Sequence, residues 1–216
     1  NWTASWDGLG KIPQLKKYFR SITVRHGYTS TYQVNSYGYN VLYEDKYGGQ
    51  SAKNPNGTTD NFVPYYNVNS VQIREGFAPL AKLDMQFVKT GWSANFETKR
   101  DKTTTLNISG IQIVETKGQE YIMGLGYQIQ KLRLGHLMIQ GRAIESPLKL
   151  RVDLSFRHNI SIIRSIANEI SVPTGGTNVL SLKSSIDYPI TPNVNFRLFY
   201  DWIRTTPQTS ASFPTA

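Results

Sequence analysis

The run of residues 148–156, LKLRVDLSF, is apolar at every even position and polar or charged at every odd one. Successive side chains of a β-strand point to opposite faces, so this segment has one wholly apolar face and one carrying Lys149, Arg151 and Asp153. Such a strand separates two environments. A soluble sheet with one wet face and the wall of a membrane barrel both satisfy it.

The same period recurs along the chain. Ile22, Val24, His26 and Tyr28 alternate with Ser21, Thr23, Arg25 and Thr29, and Leu83, Met85 and Phe87 alternate with Lys82, Asp84 and Gln86. Trp92, Ala94 and Phe96 oppose Ser93, Asn95 and Glu97. Tyr121, Met123, Leu125, Tyr127 and Ile129 share a face against Gly124, Gly126 and Gln128. Leu180, Leu182, Ile186 and Tyr188 oppose Ser181, Lys183, Ser185 and Asp187; Val194, Phe196, Leu198, Tyr200 and Trp202 oppose Asn193, Asn195, Arg197 and Asp201. No amphipathic helical pattern stands out, and an all-β antiparallel chain is expected. The aromatic share of 12%, with 13 Tyr and 4 Trp, suits strands and is also what a lipid interface attracts.

The connections divide by length. Residues 8–17, 89–91, 131–147 and 191–193 read as short or basic links, whereas 36–69, 98–105, 114–119 and 171–178 read as longer polar or glycine-rich ones. With about 10 residues needed to cross a bilayer at a tilt, roughly eight crossings fit. An up-and-down order then puts the short links on one side and long loops near 37–69 and 160–178 on the other, the asymmetry of an outer-membrane barrel with a periplasmic short side. The run YPITPN at 188–193 suits a hairpin, because proline is tolerated at strand ends. A phase break between Leu106/Ile108 and Ile111/Ile113 suggests a bulge near Ser109 and Gly110. The opening NWTASW alternates at once, as in the middle of a sheet, and has no basic leader or apolar core of a signal peptide.

Sites of chemistry are sparse. The chain has no Cys, which excludes disulfides, thiol nucleophiles and cysteine metal sites. His26, His136 and His158 fall in different elements without ligand spacing, and no acid/base pair or triad stands out, so no catalytic, metal or cofactor-binding residue is expected. The net charge of +9 comes without a basic helix or an aromatic RNA-binding signature, and nucleic acid is not an expected partner. The Gly124-Leu125-Gly126 and Gly175-Gly176 sequences lack the strand-to-helix setting of a phosphate loop and read as packing or turn glycines. The four Asn-x-Ser/Thr matches, at Asn1, Asn56, Asn107 and Asn159, are of the kind an Asn/Ser/Thr-rich chain produces by chance.

The charges of the polar face are more informative. Lys82 with Asp84, Arg151 with Asp153, and Arg197 with Asp201 share faces and can form cross-strand ladders. On a barrel, Arg25, Lys82, Asp84, Lys149, Arg151, Asp153, Arg197 and Asp201 would line the lumen, while Val24, Leu83, Phe87, Leu150, Leu154, Phe196 and Leu198 would face lipid. Trp92, Tyr121, Tyr127, Tyr188, Tyr200 and Trp202 should then lie near the ends of the apolar stretches. A small self-closed eight-stranded barrel and a soluble β-sandwich adhesin remain alternatives to a larger barrel.

Several segments carry a resemblance: DGLGKIPQLKKYFRSITVRHGYTSTYQVNSY at 7–37, FAPLAKLDMQF at 77–87, EYIMGLGYQI at 120–129, LKLRVDLSFRHNISIIRSI at 148–166 and NVNFRLFYDWIRTTPQTSASFPT at 193–215. In this order they resemble the C-terminal part of the SprA/Sov family, the giant outer-membrane translocon of the type IX secretion system of Bacteroidota, which serves gliding motility and cell-surface protein export. None is a catalytic motif. The resemblance implies an arc of about eight strands in a much larger barrel of the bacterial outer membrane. It also implies passage of folded cargo proteins, and as partners the rest of the barrel, outer-membrane lipid, a smaller outer-membrane barrel and a periplasmic prolyl isomerase. A wide lumen follows physically from many strands, since barrel diameter grows with strand number.

Overall fold

The computed structural model describes residues 1–41, 43, 63–139, 142–191 and 193–208, with backbone alone for 134–139 and 142–144. Eight strands form one antiparallel sheet in strict chain order: β1 (Trp2–Trp6), β2 (Phe19–Tyr39), β3 (Tyr66–Phe87), β4 (Trp92–Asn107), β5 (Gln112–Ile139), β6 (Arg142–Ser165), β7 (Ser171–Thr191) and β8 (Val194–Gln208). Every strand pairs with its sequence neighbours, and β1 and β8 are open edges. The only helical turns among the described residues are a 3-10 turn, Gly8–Lys11, and the four-residue α1, Pro13–Lys16, where Pro13 takes the first-turn position that needs no N–H.

Most strands are far longer than a bilayer requires. β5 has 28 residues and β6 has 24, so at about 3.3 Å per residue β5 runs for roughly 90 Å. This length corrects several expected connections. Residues 98–105 and 114–119 belong to β4 and β5, most of 160–178 belongs to β6 and β7, and most of 131–147 belongs to β5 and β6. Their Thr, Gly, Ser and Lys content mimics loops, yet cross-strand hydrogen bonding satisfies the backbone throughout. The expected bulge at Ser109 and Gly110 is instead the β4–β5 turn. There Ile111 takes a left-handed φ of 49°, and the Asn107 side-chain oxygen accepts the N–H of Gly110 at 3.0 Å. Of the expected loop at 37–69, β2 continues to Tyr39 and β3 starts at Tyr66; residues 44–62 lie outside the described residues.

The remaining links behave as expected. The β3–β4 turn needs Gly91, whose φ is 71° and whose Cβ, if present, would overlap the carbonyl of Gln128. Proline falls where the ladder is interrupted: Pro79 lies in a bulge of β3 between Phe77 and Ala81, and Pro173 and Pro189 stand beside register shifts of β7. At the Pro79 bulge the His26 ring reaches the Leu80 carbonyl and packs between Trp2 and Phe77, so this histidine is a structural one.

A single sheet has no second layer to cover it. Among the described residues the buried hydrophobic side chains are Ile22, Val63 and Tyr188. The usual way to stabilise a sheet is to bury one face against another element, and here that face remains uncovered.

Candidate functional site, a two-faced wall

Pairing registers sort the side chains between the two faces. Val24 stands opposite Leu83, Leu83 opposite Phe96, Phe96 opposite Met123, Met123 opposite Leu154, Leu154 opposite Leu182 and Leu182 opposite Trp202. All seven residues expected on the apolar side, Val24, Leu83, Phe87, Leu150, Leu154, Phe196 and Leu198, share that face. Arg25, Lys82, Asp84, Lys149, Arg151, Asp153, Arg197 and Asp201 all share the other.

The apolar residues form a belt of nearly constant length. It occupies residues 121–129 of β5, 148–156 of β6, 180–188 of β7 and 194–202 of β8, the span a tilted strand of about 9–11 residues needs to cross hydrocarbon. Aliphatic side chains hold the middle: Met123 and Leu125, Val152 and Leu154, Leu182 and Ile186. Aromatic ones stand towards the ends. Tyr28, Phe77, Tyr121 and Phe156 mark one border; Phe19, Phe87, Trp92, Tyr127, Tyr188 and Phe196 mark the other. Neighbouring border rings touch, with centroids 4.7 Å apart for Trp92 and Tyr127, 4.9 Å for Phe19 and Phe87, and 5.0 Å for Tyr28 and Phe77. Of the six aromatics named from sequence, Trp92, Tyr121, Tyr127 and Tyr188 lie towards the belt's ends, whereas Tyr200, opposite Ser184, and Trp202, opposite Leu182, lie in its middle.

Exposure runs opposite to that of a soluble protein. Leu125 is 57% and Met123 56% exposed, whereas the Glu97 and Glu120 side chains on the opposite face are 13% and 20% exposed. Part of the charged face is sheltered, whereas Arg151 and Arg197, paired on the same face, stay 60% and 63% exposed.

On the polar face an ion-pair chain crosses four strands. Lys82 Nζ lies 3.1 Å from Glu97, Glu97 lies 3.5 Å from Lys99 Nζ, and Lys99 lies 3.7 Å from Glu120. Glu120 lies 3.7 Å from Arg157, which donates to Asp101 at 2.8 Å. The last link passes over β5, from β6 to β4, and Gly118 makes it possible. A Cβ there would lie 2.6 Å from both Arg157 Nη2 and an Asp101 carboxylate oxygen. Gly124 likewise leaves room for Asn95 and Asp153, and Gly126 for Ser93. Gly124 and Gly126 are packing glycines, as the sequence suggested; Gly118, expected in a loop, lets side chains of β4 and β6 meet across the strand between them.

Of the charges expected to ladder across strands, Lys82 meets Glu97 of β4 at 3.1 Å and Arg197 meets Asp187 of β7 at 3.3 Å, while Arg151 turns to Asp153 of its own strand in a bidentate contact at 2.6 and 3.0 Å. Directly opposed residues come closer than i, i+2 neighbours, so the cross-strand partner wins at Lys82 and Arg197. Glu97, Lys99, Glu120, Asp101 and Arg157 were missed in sequence because register alone brings them together.

Beyond the belt, on the side of the β2–β3 connection, the outward face of β4, β5 and β6 turns charged. Glu115, nearly buried, lies 2.5 Å from Lys117 Nζ and 3.7 Å from both Lys102 and Arg164. The Lys117 ammonium foremost, then the charges of Lys102 and Arg164, hold its carboxyl below the usual glutamate range against the opposing cost of burial.

No metal-binding cluster of His, Cys, Asp and Glu occurs among the described residues, and His158 Nδ1 pairs with Asn178 at 2.7 Å. No described helix is long and apolar enough to span a membrane. No family model matches the chain, and no curated protein matches it.

Proposed function

We propose that this chain is an arc of wall in a large outer-membrane β-barrel whose polar face lines a water-filled conduit for secreted proteins. The observation that carries the membrane half of this reading is the belt: an exposed apolar surface of bilayer-crossing length with aromatic borders, back to back with a charge-paired face. Water would penalise that arrangement and lipid stabilises it. The open edges of β1 and β8 support an arc over a self-closed eight-stranded barrel, because unpaired strand edges do not persist in hydrocarbon and call for further strands.

The conduit half rests on the resemblance to the type IX translocon and on the breadth of the polar face. In that role the cargo would be folded proteins, and the smaller outer-membrane barrel and the periplasmic prolyl isomerase would dock on the completed assembly. The chain would act as a wall and passage, without a cofactor.

Photo-crosslinkers placed in the full-length protein in cells test both halves. A crosslinker at Arg151 should capture secreted protein and one at Leu154 should capture lipid. Lipid adducts at Leu154 without any cargo at Arg151 would leave the membrane wall standing and remove the conduit.

A further inference from the structure

Where the belt ends on β4 and β5, the outward face passes from rings to cations within four residues, from Phe96 to Arg100 and from Tyr121 to Lys117. Phe77 of β3 stands opposite Arg100, Arg100 opposite Gln119, and Gln119 opposite His158; in the next row Glu75 stands opposite Lys102, Lys102 opposite Lys117 and Lys117 opposite Ile160. Arg100, Lys102, Lys117, Gln119, His158 and Ile160 line a surface hollow of about 430 Å³, together with Gly118 and with Asp101, whose carboxylate is paired with Arg157 on the other face. Beside it lies a second hollow of about 440 Å³, floored by Trp2, Tyr28 and Phe77 and sharing Arg100 and Lys102. A cationic cup therefore adjoins an aromatic shelf at the border of the belt.

Internal anions do not neutralise the cup. Glu115 answers Lys117, Lys102 and Arg164 together, and Glu75 accepts the Tyr28 hydroxyl at 3.1 Å. Two carboxylates thus stand against four cations, Arg100 included. Along the ion-pair chain the Lys82, Glu97, Lys99, Glu120 and Arg157 side chains are a third exposed or less, but the Lys102, Lys117 and Arg164 side chains are nearly half exposed, available to an anion from outside. The guanidinium and ammonium groups suit phosphate oxygens, the His158 and Gln119 side chains suit sugar hydroxyls, and the aromatic shelf suits an acyl chain.

We infer that this border site binds the phosphorylated headgroup of a glycolipid in the membrane leaflet on the side of the β2–β3 connection, with its acyl chains along Trp2, Tyr28 and Phe77. The inference rests on the membrane reading above. It adds a specific lipid to what that reading leaves as bulk solvent. Clustered cations at a membrane surface each strengthen anionic-lipid binding about fivefold, so removing three should weaken it on the order of a hundredfold.

The test uses the full-length protein in phosphatidylcholine nanodiscs containing lipid A with its phosphates, dephosphorylated lipid A, or neither. Native mass spectrometry reads bound lipid, and quenching of tryptophan fluorescence by brominated phosphatidylcholine reads contact of the belt with lipid. The expected result is retention of phosphorylated lipid A by the wild type, its loss in Arg100→Ala/Lys102→Ala/Lys117→Ala, and retention in the charge-conserving Lys102→Arg/Lys117→Arg. The same should hold for Arg25→Ala/Lys149→Ala/Lys183→Ala on the other face. Undiminished quenching in every variant would verify that the barrel is intact. Equal binding by the triple outward variant, with quenching preserved, would overturn the site and spare the membrane reading. Equal retention of dephosphorylated lipid A would overturn the phosphate recognition, and displacement by inorganic phosphate at matching concentration would overturn the lipid as its source. Absence of quenching in the wild type would overturn both readings at once.

Discussion

β5 contains two stretches that alternate alike and differ in kind. Between residues 121 and 129 its outward side chains are Tyr, Met, Leu, Tyr and Ile; between 113 and 119 they are Ile, Glu, Lys and Gln. The opposite face reads Val114, Thr116, Gly118, Glu120, Ile122, Gly124 and Gly126, small or polar apart from two separated aliphatic residues and without an apolar belt. One side of the strand changes sharply with position and the other far less. On the proposed reading, lipid with its change of character with depth lies along the first and water along the second.

That contrast can be broken by putting the wrong residue on the sensitive side. Leu154→Arg, mid-belt on β6, should cost about 2–4 kcal/mol near the bilayer midplane, read as a lowered temperature of heat modifiability in outer membranes; an equal substitution at Ile162, beyond the belt, should cost far less. Equal losses at both would end the comparison. Next in size is Gly118→Val, which drives a side chain between Asp101 and Arg157 and should cost about 1–3 kcal/mol of strain, lowering the same melting temperature.

Glu115→Gln sharpens the upper region and should cost about 1 kcal/mol, the pair partners being well exposed. Because the folded carboxyl is held below its ordinary value, its contribution is present above the usual glutamate range and is lost as pH falls through the folded value. Wild type and variant should therefore differ at neutral pH and converge in acid; a gap that widened on acidification would reverse the assignment. Smallest is Arg151→Leu on the indifferent face, within about 0.5 kcal/mol of wild type in thermal stability. A loss as large as that of Leu154→Arg would deny the polar face its aqueous surroundings.

The strands and their two faces were legible because a period of two is carried by chemistry that any register preserves. Both faces of 148–156 follow from its letters. Strand length was not legible beyond the belt, since Thr98 to Thr105 and Thr116 to Gln119 have the composition of a loop and are strands only because neighbours of equal length hydrogen-bond to them. The β4–β5 turn was hidden by Ile111, a β-branched residue in a conformation that usually calls for Gly or Asn. Partner choice within the ion-pair chain was hidden too. Lys82 meets Glu97 through an alignment that neither strand encodes alone.

Gly118, Gly124 and Gly126 of β5 have an effect beyond making room. With no side chains rising from those positions, Asp101 and Arg157 lie down across the strand, and every cation along the chain from Lys82 to Asp101 has a carboxylate within 4 Å. Opposite charges that close together look, from a few ångströms away, like no charge at all, and salt screens the remainder. To an object sliding past, such a surface is electrically quiet: it neither holds an acidic passenger nor turns a basic one away.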